Sequence, residues 1–324
     1  MRLSATDGEK RVILSAMRTV SLAHGAAAET AADRATLAAA ARITLGLDDV
    51  DDATLPPIAP SALADALAAR PLREEAVRLA AVMALVDGAV DAAKIDRVTA
   101  FARALGIDDG YVHDLSRAAH GRLQGALGHM VRENMASITG HPWSRGVTDD
   151  VLAWLLPYRG DGADPALADR FRALADLPDD TFGRAFLAHF ADNGYALPGE
   201  PDALNAVFSL PHDSAHVLAG YDTTPAGELM VSTFTAAMHP WHAMAAHVLP
   251  VLFSWHLGVK LNDVAQAATG AFQPAGFFEA WERGAASTVD LFSADWDFWS
   301  AAGEPLAAVR AAYAIAPRRE GGAG

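Results

Sequence analysis

Four side chains in the second half of the chain are of types that bind a divalent cation together: His212, Asp213, His216 and Glu228. On a helix, His212 and His216 are four residues apart and share one face, close enough to hold a single ion. Asp213, three residues before His216, borders the same face. Two neutral imidazoles and two carboxylates balance a dication. They suit zinc first, with ferrous iron and manganese as alternatives. Asp213 and Glu228 are also the groups able to leave the ion and move a proton, which makes them the candidate catalytic residues.

Local signals place these residues on a helical hairpin. Ser209 reads as a cap, Pro211 as a first-turn residue and Gly220 as a stop, predicting a helix of nearly three turns. Thr224 followed by Pro225 opens the next helix as cap and first helical residue. In an antiparallel pair, residues equidistant from the turn face each other. His216 lies six before Asp222 and Glu228 six after it, so Glu228 is delivered opposite the histidines. Asp222 itself is expected to bond the amides of Thr223 or Thr224.

Composition narrows the chemistry. The chain has 324 residues, 52% of them hydrophobic, and alanine dominates, so an all-α fold is expected. A net charge of −15 argues against a nucleic-acid partner and against simple docking on an anionic membrane. With no cysteine there are no disulfides, thiolate nucleophiles or cysteine metal sites. The polar start, Met1 to Lys10, has no secretory core, and a cytoplasmic location is expected.

Length favours two helical domains. Glycines and prolines from Gly140 to Gly162 mark a linker at 138–164, between a domain at 1–137 and another at 165–324. The first carries a divergent repeat. Leu22-Ala23-His24-Gly25 and Leu45-Gly46-Leu47-Asp48-Asp49 recur as Leu85-Val86-Asp87-Gly88 and Leu105-Gly106-Ile107-Asp108-Asp109. The second carries a run from Leu229 to Val259 without one Asp, Glu, Lys or Arg. Four histidines and two prolines inside it disfavour a membrane span and favour buried helices around an apolar cavity. Met230, Phe234, Met238, Trp241, Met244, Phe253 and Trp255 are candidates to line that groove. His239, His242 and His256 read first as core histidines, with a contact to the metal site or substrate as the alternative.

Two resemblances add to this reading. Val86-Asp87-Gly88-Ala89-Val90-Asp91 and the helix after it resemble the tellurite-resistance TerB-like domains, which are helical bundles proposed to bind metal through acidic residues. In the first repeat His24 stands where an acid is wanted, and Asp87 and Asp91 read more simply as caps. His212-Asp213-x-x-His216, eleven residues and Glu228 resemble the signature of the coenzyme Q biosynthesis protein 4 family. Leu177-Pro178, Gly183-Arg184-Ala185, Gly220 to Thr224 and Trp281-Glu282-Arg283-Gly284 agree with it. That resemblance implies an all-helical domain with zinc on His212, Asp213, His216 and Glu228. It further implies an apolar groove for a polyprenyl chain, peripheral membrane contact, and a part in ubiquinone assembly alongside other biosynthetic enzymes. The reaction implied replaces a ring carboxyl by a hydroxyl. A non-catalytic lipid-binding scaffold is the alternative. A zinc hydrolase fits less well, because Asp213 stands where the usual base is Glu.

Overall fold

The computed structural model describes residues 5–50, 55–239, 241–261 and 266–318. Among them the chain is all-α, with helices from Asp7–Ser21 to Leu306–Ala312 and no strand, only two isolated bridges. Caps set many of the boundaries. Thr6 with Glu9 and Thr30 with Asp33 each form a reciprocal box that satisfies two orphan amides at a helix start. Gly106, at φ 69°, ends the Ala92–Leu105 helix in the left-handed conformation that a side chain resists.

Three acids of the first half, Asp33, Asp87 and Asp91, have internal partners. Asp91 caps its helix by accepting from the Lys94 amide, as a cap should, and also lies 2.8 Å from His24 Nε2. Asp87 is no solvated cap. Lys94 Nζ donates to Asp87 and to fully buried Asp33, both at 2.8 Å. Burial lowers the Lys94 pKa, but the bonds and charges of the two acids outweigh it and raise the value. An ammonium thus holds the place that a metal would take in an acidic cluster.

The structure divides the chain differently from its composition. The helix Leu123–Thr139 runs through the expected boundary. Within 138–164, Trp143, Val151, Leu155 and Leu156 are buried with Met135 in a small core of their own, so this stretch is packed structure rather than a linker. The main core of the first half also takes in Leu229, Ala236, Val248, Leu249, Leu252, Phe253, Phe277 and Phe278 from the second. His256 crosses between the halves, its Nε2 3.2 Å from the Val86 carbonyl. Composition records charge and glycine content but not which apolar faces meet, and here they meet across the boundary.

Among the described residues most of the charge-free run is buried or half-buried. It forms the Pro225–Met238 helix, then wider π turns at Ala243–Val248 and Leu252–His256 around the short Leu249–Val251 piece. Among the described residues no helix is long and apolar enough to cross a membrane. Met230, Phe234 and Met238 sit in one core, Met244 and Phe253 in another, while Trp241 is 39% exposed. Most of the expected groove lining is therefore ordinary packing. A small cleft of about 10 Å³, room for little more than a water, lies where Arg78, Met244, Phe277, Phe278 and Trp281 meet, with Arg78 stacked on Trp281.

Candidate metal centre

The hairpin forms as the turn signals require, with one difference. Gly220 stops the first helix at φ 74°, and Thr224 caps the second by accepting from the Gly227 amide, with Pro225 in its first turn. Asp222 Oδ1 accepts from the amide and hydroxyl of Thr224. The first helix, however, starts earlier than Ser209: it spans Ala206–Ala219, is capped by Asn205, and contains Pro211 in its interior. A proline there frees the carbonyl four residues back, that of Val207, whose exposed position offers it to solvent.

His212, His216 and Glu228 converge. The two Nε2 atoms are 3.3 Å apart, His212 Nε2 is 3.5 Å from Glu228 Oε2, and His216 Nε2 is 3.5 Å from Glu228 Oε1. Tetrahedral ligands at zinc–nitrogen and zinc–oxygen distances near 2.1 Å are about 3.3–3.5 Å apart, so the two Nε2 atoms have the spacing of a zinc cage, and this triangle of side chains is closed by the two oxygens of one carboxylate. Among the described residues these three make the one group of its kind compact enough to hold an ion.

The surroundings fix the donors. His216 Nδ1 is 3.0 Å from the Tyr221 carbonyl, so its N–H points there and Nε2 is left as the lone pair facing the site. His212 lies against the Phe208 ring, centroids 4.8 Å apart and nearly parallel. Glu228 is in the first turn of its helix, where the helix dipole favours a negative charge. Burial raises the Glu228 pKa, but the close contacts with His212 and His216 overcome it and hold the carboxyl below its usual range. Burial lowers the His212 pKa, and Glu228 outweighs it in turn, so the value rises. Without an ion, a shared proton supplies the positive charge the site is built around.

Asp213 is not in the triangle. Its Oδ1 lies 3.2 Å from Nε2 of His189, on the Phe182–Asn193 helix. Backbone spacing brings Asp213 to the edge of the ligand face, and His189 then draws the carboxylate aside. His189 also stacks on His216 at 5.3 Å between centroids. Sequence spacing gave no sign of His189, which comes from another helix. Its one signal is an isolated polar residue amid Phe186, Leu187 and Phe190. Tyr195, 45% exposed, stands edge-on to His189.

The remaining histidines are elsewhere. His239 Nδ1 is 2.7 Å from Asp290 Oδ2, His247 Nε2 is 2.8 Å from Ser137 Oγ, and His242 pairs with Glu133. His256 also accepts from the Phe272 amide, and with its bond to Val86 it is a satisfied core histidine. No family model, curated protein or solved structure matches the sequence.

Proposed function

We propose that this chain is a metal-dependent enzyme acting on a quinone-type or prenylated aromatic compound, with one divalent ion on His212, His216 and Glu228. The observation that carries the reading is the convergence of His212, His216 and Glu228, the two Nε2 atoms 3.3 Å apart and each 3.5 Å from one oxygen of the same carboxylate, with Asp213 turned away to His189. Three protein donors leave a fourth position for substrate, the arrangement of a catalytic rather than a structural zinc. A bound ion would supply Lewis-acid chemistry, stabilising charge on a phenolate or carboxylate oxygen during ring decarboxylation or hydroxylation.

The protein's own contribution is position and proton handling. Tyr221 and Phe208 hold the two imidazoles in register before any ion arrives, which lowers the reorganisation that binding requires. The Asp213–His189 pair beside the centre is placed to accept or return a proton. Tyr195 and Val207, both exposed, give the neighbourhood an apolar rim. The signature shared with the coenzyme Q biosynthesis protein 4 family supports the substrate class, the preference for zinc over iron or manganese, the peripheral membrane contact and the partnership with other enzymes of such a pathway.

A second reading, a lipid-binding scaffold whose ion only staples the hairpin, rests on Asp213. It adjoins His212, and its rotation away from His189 would close the shell with a fourth protein donor. Elemental analysis of the purified chain tests the shared premise: about one ion per chain is expected, and His216→Ala should lose it. A metal-free wild type that takes up none ends both readings. Cobalt substitution separates them, because an open shell changes its visible spectrum when a phenolic ligand is added and a closed four-donor shell does not. Turnover of a prenylated hydroxybenzoate, followed by mass spectrometry, tests the enzyme directly.

A further inference from the structure

The Pro225–Met238 helix carries a polar line along an otherwise apolar surface. Glu228, Ser232, Thr235 and the capping residue His239 are spaced four, three and four apart, which keeps them on one face. At one end is the metal group. At the other, about 16 Å along the axis at 1.5 Å per residue, His239 is 6% exposed and donates its Nδ1–H to Asp290 Oδ2 at 2.7 Å. Asp290 is fixed in turn, its Oδ1 accepting from the Phe292 amide at 2.9 Å.

With Nδ1–H committed to Asp290, Nε2 is the ring's remaining polar atom. Among the described residues that buried atom has no hydrogen-bond partner, and the same is true of Thr235 Oγ1, one turn back on the same face. A buried polar atom without a partner costs about 1–3 kcal/mol, so two of them on one face mark a place shaped for something else. The rings of Phe292, at 5.7 Å, and His247, at 6.0 Å, stand beside His239 and give it flat walls.

We infer that His239, held by Asp290, is a second chemical site: a buried proton acceptor for a small neutral hydroxyl compound, an alcohol or phenol, whose O–H donates to Nε2. Asp290 is the positioning residue. Full transfer moves one proton from the ligand oxygen to Nε2, leaving an alkoxide or phenoxide beside an imidazolium that the Asp290 carboxylate balances. An anionic ligand is disfavoured. Asp290 brings a carboxylate, and His247, its pKa pushed down to about 3 chiefly by burial, supplies no positive charge. Nothing in the inference needs an ion on His212, His216 and Glu228.

The test is nitrogen-15 NMR of the histidine rings in the full-length, metal-free chain, with His239 assigned by the signals lost in His239→Gln. The expected wild-type pattern is a protonated Nδ1 and a bare Nε2, and added phenol should shift that Nε2 signal saturably. Asp290→Asn presents an amide able to donate to Nδ1, which turns the ring to the opposite tautomer and should weaken phenol binding about tenfold, one hydrogen bond's worth. Metal uptake should not change in that variant, which separates this site from the metal centre. A protonated Nε2 in the wild type would overturn the proposal. So would phenol leaving the His239 signals unmoved, or a phenol-soaked crystal with only a water on Nε2.

Discussion

His216 points its Nδ1–H at the Tyr221 carbonyl, 3.0 Å away across the end of its own helix. One backbone oxygen therefore fixes the tautomer of the most buried donor at the centre. A histidine so held presents Nε2 to the ion, and the neighbouring His212 must deprotonate to accept it. Zinc uptake should release protons and weaken as pH falls, beginning above the ordinary histidine range near 6.5 because Glu228 raises the His212 pKa. Glu228→Gln keeps the shape but removes the charge, and should weaken zinc by at least about tenfold, as a lost carboxylate contact implies. Competition with a chelating dye at pH 7.5 and 5.5 measures both effects. Equal affinity at the two pH values would contradict them.

His247 gives the fold a predictable acid limb. Its pKa is pushed from 6.5 down to about 3, chiefly by burial. Between those values the unfolded chain binds a proton that the folded chain refuses, so stability rises with pH across that window and is fully present only above it. The slope reaches about 1.4 kcal/mol per pH unit. In His247→Gln, which retains a group able to reach Ser137, the difference between urea midpoints at pH 7 and pH 5 should shrink. An unchanged difference would remove His247 as the cause.

Lys94 separates a buried ion pair from surface ones. Lys94→Met strands Asp33 with no countercharge at 0% exposure, and should cost about 3–5 kcal/mol. Arg70→Ala breaks an equally short pair with Glu74 whose side chains are 69% and 46% exposed; the expected loss is under about 1 kcal/mol. Chemical denaturation of the two variants side by side tests the contrast.

Gly284 lets two helices touch. A Cβ there would overlap the Phe234 carbonyl and lie 3.0 Å from Ala237 Cβ, so Gly284→Ala must push the Pro274–Ala286 helix away from the one bearing Glu228 and His239. A loss of about 1–3 kcal/mol is expected. Gly303→Ala, where a Cβ meets nothing within 4 Å, should be near neutral. Thermal melts of both variants provide the comparison.

What the sequence makes legible is local. Gly220, Thr224 and Pro225 specify the hairpin through backbone rules that act within a few residues. The mirror relation of His216 and Glu228 about Asp222 then follows from antiparallel geometry. Asn205, not Ser209, caps the first helix, because the cost of Pro211 in its interior is tolerated where the freed carbonyl is exposed. His189 lay beyond reach because it meets Asp213 from a helix 24 positions upstream, and no periodicity links them. The same blindness hid the Asp290–His239 pair, 51 residues apart, and the mixing of apolar residues from both halves.

That mixing bears on how the protein comes into being. A ribosome releases Ile13, Val77 and Phe101 long before Leu249, Phe253 and Phe277, the residues that complete their packing. The early portion must wait, partly bare, until the late portion arrives. A fragment ending near residue 137 should accordingly bind hydrophobic dyes and aggregate, and the whole chain should melt in one step.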